Sequence, residues 1–388
     1  MTRYTLVATA SFGLESVVRA ELSALGCSEP RTEDRRVVFE GSAEDVARCN
    51  IRLRTADRVL LRLSEFPVED FDDLYEGVRA LRWRDLLAPS PALVVEARSA
   101  RSKISSVPAI QSVSKKAIVD ALSKGASSSR MAESGPRYAV EVAIAHDSAS
   151  ISLDTTGPGL HKRGYRAAAG EAPLRENLAA ALVLLSRWNA PRPFADPLCG
   201  SGTIPIEAAL IAGNIAPGIN RRFAAEEWPV FPRAIWKAAR EEARSAERRD
   251  AELRIDASDR DAKMVETARR NAERAGVGSR IGFRAAPFER FTPEADFGCM
   301  VCNPPYGERL GEAREVEDLY RAMGRLSSRL DTWSLFVLTA HEDFQKLFGS
   351  RATKNRKLYN GNLRCWFYQY FGPLPPAPPR PFGTLGLP

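Results

Sequence analysis

Histidine is nearly missing from this chain: there are three in 388 residues, at positions 146, 161 and 341. They lie too far apart in sequence to suggest a His-based metal cluster. Cysteine is sparse as well, with six residues at positions 27, 49, 199, 299, 302 and 365. Cys299 and Cys302 have C-x-x-C spacing, but no second Cys or His pair lies nearby, and a strand would point the two to opposite faces. No metal is expected. No apolar run is long enough to cross a bilayer. The opening MTRYTLVATASFGLESV lacks the apolar core and cleavage pattern of a signal peptide. A cytoplasmic location is therefore expected, without a disulfide framework. Also absent is a Gly-Lys-Ser/Thr ending on the one Gly-rich turn, which excludes a Walker A phosphate loop.

What is present is an ordinary globular composition, 44% hydrophobic and 27% charged. A formal net charge of +7 favours a polyanionic partner. The length predicts two or three domains. Residues 1–66 read as a small α+β domain: strand and helix over 4–26, a strand at RRVVFEG (35–41), then a capped helix and a strand over 42–66. Residues 67–165 read as a second α+β unit. It contains a strand leaving through a basic loop (ALVVEARSARSKI), a helix ending at Gly125, and two strands joined at His146-Asp147-Ser148. Arg98, Arg101, Lys103, Lys115, Lys116 and Lys124 gather here with few acids. Singly each is a solvated charge, and together they make a candidate phosphate-binding surface. Residues 161–188 begin as a basic, flexible linker and continue as a helix from near Pro173. From about residue 190, strands alternate with helices as in a doubly wound α/β sheet, spanning 166–372. Residues 373–388 form a Pro-rich tail.

Two motifs carry chemistry. In VCNPPYGER (301–309), a buried strand, FGCMVC, runs into two prolines that fix the backbone and cannot donate hydrogen bonds. A rigid loop at a strand end is where α/β proteins place ligands. The other motif, DPLCGSGT (196–203), follows a strand and opens a helix. Gly200 and Gly202 permit close backbone approach. A dinucleotide fingerprint would need a third glycine near 205, where Pro205 stands, and an acid about 20 residues on. The next strand-ending acid is Asp259, beyond a long insertion (212–250). S-adenosylmethionine fits this pattern better. Its carboxylate suits the turn, its ammonium suits Asp196, and its ribose hydroxyls suit Asp259. Asp261 is either a second contact or the cap of the following helix. Asp196 also has a plain reading, as a turn-forming residue.

The ordered set of motifs resembles the THUMP-domain class I RNA methyltransferases, specifically the bacterial large-subunit (23S) rRNA guanine-N2 methyltransferases. The residues that carry the resemblance are DPLCGSGTIPIEAAL (196–210), ASDRDAKMVETARRNAERAGV (257–277), NPPYGERLG (303–311), KNRKLYNGNLRC (354–365), LDTTGPGLHKRGYR (153–166) and APLRENLAAAL (172–182). SFGLESVVRAEL and NIRLRTADRVLL extend it through the first domain. The resemblance implies a ferredoxin-like domain (1–66), a THUMP RNA-binding domain (67–165) and a Rossmann-like methyltransferase domain (166–372). It implies S-adenosylmethionine bound by Asp196, Pro197, Cys199, Gly200, Ser201, Gly202, Thr203, Asp259, Asp261 and Asn303. Asn303, Pro304, Pro305 and Tyr306 would act on the target base. RNA would meet Arg98, Arg101, Lys103, Lys115, Lys116, Lys162, Arg163, Lys354, Arg356 and Lys357, with KNRKLYNG lining the entrance.

There is one departure. The acid that such enzymes offer to adenine after the third strand is replaced here by Ala286 or Pro287. The better-known bacterial relative is fused to a second methyltransferase, and this sequence stops before such a half, so only guanine-N2 activity is expected. Two other readings share most of these residues: a tRNA guanine-N2 methyltransferase, and an RNA-binding or ribosome-assembly protein without catalysis.

Overall fold

The computed structural model of the chain describes residues 2–123, 133–166, 174–248, 252–306 and 312–376. Lys124, Pro173, Arg309 and the tail beyond 376 lie outside them. Among the described residues, fourteen strands form two seven-stranded sheets. The first holds β1 (Tyr4–Thr9), β2 (Ser28–Glu33), β3 (Arg36–Gly41), β4 (Arg58–Pro67), β5 (Ala92–Ala100), β6 (Arg137–Ala145) and β7 (Ser148–Asp154), in the order β2-β3-β1-β4-β7-β6-β5. The two front domains thus share one sheet. It does not break near residue 66, because β4 is ten residues long and pairs with β1 at one edge and β7 at the other. The edge strand β2, SEPRTE, is almost wholly exposed and carries no apolar pattern. The sequence reading missed it for that reason.

Local chemistry explains the connections. Ser42 caps the helix Ala43–Arg52 through a reciprocal bond with Asp45. His146 and Asp147 take φ of +52° and +58° between β6 and β7, the left-handed pair that a two-residue hairpin turn requires.

The second sheet holds β8 (Phe194–Asp196), β9 (Ile255–Asp259), β10 (Gly282–Ala285), β11 (Cys299–Cys302), β12 (Ser334–Thr339), β13 (Lys354–Asn360) and β14 (Leu363–Tyr370), in the order β10-β9-β8-β11-β12-β14-β13. The strands from β10 to β12 run parallel, and β14 is antiparallel to both its neighbours. β11 is buried throughout. Cys299 and Val301 face one apolar core and Met300 and Cys302 the other, so the two cysteines do point apart. KNRKLYN, expected to line an entrance for RNA, is regular extended structure. It is strand β13, joined to β14 by a tight turn at Gly361-Asn362.

The segment at 212–248 ties the sheets together. Phe223, Trp228, Phe231 and Trp236 are buried in one cluster with the core of the front sheet. Trp228 stacks on Tyr138 of β6 with ring centroids 4.6 Å apart. The Gly218 N–H donates to the Ile51 carbonyl at 2.9 Å, and a Cβ at Gly218 would lie 2.9 Å from the Asn50 carbonyl oxygen, so only glycine permits the approach. The linker at 161–166 is pinned, contrary to the flexibility expected of it. The Tyr165 hydroxyl donates to Glu207 at 3.1 Å, and the Arg163 guanidinium donates to the carbonyls of Leu160 and Arg54. Among the described residues, no helix is long and apolar enough to cross a membrane.

Trp228→Ala should destabilise the whole chain by about 3–5 kcal/mol, the usual cost of emptying a buried aromatic site. Denaturant unfolding of wild type and variant measures it. A loss below about 1 kcal/mol would mean that the docking of this segment contributes little.

Candidate active site

Three strand ends converge at the carboxyl edge of the second sheet. β8 ends in Asp196 and enters the Gly-rich turn, which opens the helix Thr203–Ala212. β9, its neighbour on one side, ends in Asp259, and β11, on the other, runs into Asn303.

The turn is held from three directions. The Gly200 N–H donates to Asp259 Oδ2 at 3.0 Å. Asn271 Nδ2 donates to the Ser201 carbonyl at 3.0 Å. Arg166 Nη2 donates to Thr203 Oγ1 at 2.6 Å. Gly200 and Gly202 have φ of +51° and +83°. Their roles differ. A Cβ at Gly202 would come within 2.8 Å of Ala268 Cβ, so this glycine lets two helices pack. Among the described residues a Cβ at Gly200 would meet only Met264, at 3.9 Å, which leaves room that a ligand can use.

Asp196 is buried, at 1% exposure. One carboxylate oxygen accepts the Leu198 N–H at 3.2 Å, the turn-forming bond of the plain reading. No cation pairs with it among the described residues. Burial first, and then the charge of Asp259, push its pKa well above the usual carboxylate range. A buried acid without a counter-cation suits a ligand that brings an ammonium group. Asp259 uses its two oxygens on the Gly200 and Asp261 N–H groups and anchors the turn as well as edging the site. Asp261 accepts the Lys263 N–H at 2.8 Å, which makes it the cap of the next helix. Cys199 is buried, and burial raises its thiol pKa, so it is a packing residue of the turn. Pro197 lies in the same turn, between Asp196 and Leu198. Past β10, Phe288 is buried in the second core beside the Ala286-Pro287 segment.

On the other side, Asn303 and Pro304 leave β11. The Tyr306 hydroxyl donates to Asn303 Oδ1 at 2.5 Å, which fixes the amide with its oxygen toward the tyrosine. Tyr306 packs partly buried against the core beneath the sheet, with its hydroxyl 3.9 Å from Cys365 Sγ. Its ring is therefore tucked in. Two residues that the sequence did not single out brace the loop. The buried Tyr320 hydroxyl donates to the Pro305 carbonyl at 3.0 Å and meets Thr339 Oγ1 at 2.9 Å. Neither carried a motif signal, since both read as ordinary core positions of a helix and a strand.

The basic residues divide. Arg163 is a correction: its side chain is 2% exposed and faces Glu207, so it holds the linker and cannot meet RNA. Arg356 donates to the Gly13 carbonyl at 2.9 Å. Lys103, Lys115 and Arg98 pair with Glu69, Glu133 and Glu141. Lys116 lies over the Tyr75 ring and Lys357 over Phe12 and Tyr359. Arg101, Lys162 and Lys354 are exposed. Among the described residues no cluster of His, Cys, Asp or Glu could hold a metal ion.

A seven-stranded sheet in this order, with a Gly-rich turn after β8 and an acid closing β9, defines a class I methyltransferase, the class that uses S-adenosylmethionine. Residues 163–369 match the RMKL-like methyltransferase domain, residues 5–60 the RlmL ferredoxin-like domain and residues 68–154 the THUMP domain. The chain is 46% identical over 378 residues to a Bacillus subtilis (strain 168) protein with the provisional name RNA methyltransferase YpsC, covering 97% of this chain and 98% of the relative. It is 38% identical over 368 residues to ribosomal RNA large subunit methyltransferase K/L of Aliivibrio salmonicida, covering 92% of this chain but 52% of the relative, so it spans about half that protein's length. Among solved structures, SMU.472, provisionally described as a methyltransferase and crystallised with SAH, superposes with a TM-score of 0.90 at 43% identity, covering 96% of this chain and 99% of the other. The chain belongs to the RMKL-like methyltransferase family, with ferredoxin-like and THUMP domains in front of the methyltransferase domain.

Asp196 gives a pH-dependent prediction. An unfolded Asp ionises near pH 3.9. The folded value is raised, so the stability that the neutral carboxyl contributes is complete below that unfolded value and is lost as pH rises through the folded one. Asp196→Asn should therefore melt above wild type at about pH 8 without cofactor, with the gap closing toward about pH 4. Thermal melts across this range check it, and a gap independent of pH would remove Asp196 as its source. The same variant should bind S-adenosylmethionine more weakly.

Proposed function

We propose that the chain methylates the exocyclic N2 of a guanine in large-subunit rRNA, using S-adenosylmethionine. In this reading residues 1–165 hold the RNA and residues 166–372 carry out the transfer. The observation that carries the reaction is the oriented Asn303 oxygen beside the rigid Pro304-Pro305 pair. The choice of rRNA is supported by the names of the K/L relatives and by the THUMP domain.

When bound, the cofactor supplies a methyl group activated by a positively charged sulfur. The site residues have two tasks. Asp196 and Asp259 are the acids offered to the cofactor's ammonium and ribose, and Gly200 leaves its carboxylate room on the turn that Ser201 and Gly202 complete. The acceptor loop deals with a poor nucleophile, since the N2 lone pair of guanine is delocalised into the ring. Asn303 Oδ1 accepts one N–H of the amine and the Pro304 carbonyl accepts the other, which draws the lone pair out of conjugation and holds the nitrogen in one orientation. Asn303 is no base, so the proton lost on transfer goes to water. Positioning of this kind supplies effective molarities on the order of 10⁵ M or more. The base must leave its stack to enter. Tyr306 then gives up its bond to Asn303 and turns its ring to the base.

Labelled S-adenosylmethionine, with unmodified large-subunit rRNA and unmodified tRNA as acceptors and nucleoside analysis of each, tests the reading. N2-methylguanosine in rRNA alone is expected. The same nucleoside in tRNA alone would replace the target, and a different methylated nucleoside would overturn the acceptor chemistry. Asn303→Ala should lower transfer by on the order of a hundredfold or more, the cost typical of losing one group aimed at the reacting atoms. Cofactor affinity by calorimetry should change little. A variant that keeps most of its rate would remove Asn303 from the reaction.

A further inference from the structure

The loop after β1 carries a phenylalanine that the fold does not bury. Phe12 is 41% exposed, yet it is held in place. Its neighbour Gly13 has φ +88°, and a Cβ there would lie 2.7 Å from the Lys357 carbonyl oxygen. The loop is thus pressed against β13, the end strand of the other sheet. Arg356 Nη1 locks it there by donating to the Gly13 carbonyl at 2.9 Å. Across this seam Phe12 meets Tyr359 edge to face, with centroids 5.8 Å apart and planes at 89°. Lys357 Nζ stands over both rings, 5.8 Å from the centre of Phe12 and 5.6 Å from that of Tyr359.

We propose that Phe12, Tyr359 and Lys357 form a stacking platform for an unpaired RNA base that flanks the target nucleotide, built jointly by the ferredoxin-like and methyltransferase domains. The chemistry fits single-stranded RNA. An aromatic face takes any base, and a neighbouring ammonium takes the phosphate or the rim of the stacked pair. The position fits as well. Lys357 and Tyr359 flank Leu358, whose partner in β14 is Cys365, and the Cys365 sulfur lies 3.9 Å from the Tyr306 hydroxyl. The platform and the acceptor loop thus lie on opposite faces of one hairpin. A strand wrapped over its edge would set a flanking base on the platform while the target base enters the site. The seam also accounts for an otherwise costly exposed ring fixed by a positive-φ glycine. This inference rests on the reading that the acceptor is RNA.

The test uses the full chain and the variants Phe12→Ala, Phe12→Leu and Phe12→Trp, with melting curves to confirm folding. Anisotropy with a fluorescein-labelled single-stranded RNA oligomer gives Kd, and methyl transfer to unmodified large-subunit rRNA gives KM and kcat. Alanine and leucine should each raise Kd and KM for RNA about tenfold, tryptophan should restore both, and the loss should fall on KM rather than kcat. Leucine equal to wild type would show that the ring only packs the seam, and unchanged Kd in alanine would remove the platform; either overturns the proposal. Wild type that binds RNA in a Phe12-dependent way but methylates none would sustain the platform and sink the proposed reaction. Methylation of rRNA with a KM indifferent to Phe12 would do the reverse. A wild type that binds no RNA would overturn both.

Discussion

The molecule depends on one docking event: the aromatic segment of the methyltransferase domain set into the front sheet. Phe223, Trp228, Phe231 and Trp236 lie in the same core as Leu6, Tyr138 and Val140. Backbone bonds from Gly218 to Ile51 and from Ala225 to Thr155 fix the register of that contact. An interface this apolar does not behave as a hinge between loosely tethered domains. The front sheet therefore presents its surface at a fixed angle to the candidate active site. For a substrate that must be gripped at one place and modified at another, that fixed angle acts as a ruler.

The site itself places unfavourable groups where a ligand would relieve them. Asp196 is buried without a cationic partner among the described residues. Gly200 leaves room where another residue would put a side chain. The Asn303 oxygen accepts a hydrogen bond from Tyr306, which holds the amide in one orientation. The braces behind it, Tyr320 and Thr339, are core residues, so the loop's geometry is guaranteed by the same packing that stabilises the sheet.

Much of this was legible in the sequence wherever local chemistry decides the outcome. The Gly-rich turn, the acid ending β9, the prolines ending β11 and the opposite facing of Cys299 and Cys302 all follow from neighbours a few residues away. The failures have a common cause, which is long-range contact. Arg163 looked like a free cation in a basic linker, and only the fold brings Glu207 to it. KNRKLYN carries three positive charges and reads as the lining of an RNA entrance, and only its pairing with β14 makes it a strand. The strand β2 has no apolar residue to announce it, because an edge strand exposed on both sides needs none. The segment at 212–250 was visible only as an insertion, since its partners Asn50, Ile51, Tyr138 and Thr155 lie far back in the chain.

The ten residues of β4 carry a further consequence. The strand serves the ferredoxin-like unit on one side and the THUMP unit on the other, pairing with β1 and β7 over an overlapping stretch. The two units therefore have no seam along which they can be separated. A chain ending at the boundary between them would keep β4 but bare a row of backbone donors and acceptors beside apolar side chains, which is a template for joining a second molecule. A cut between the two units therefore breaks a sheet and not a linker.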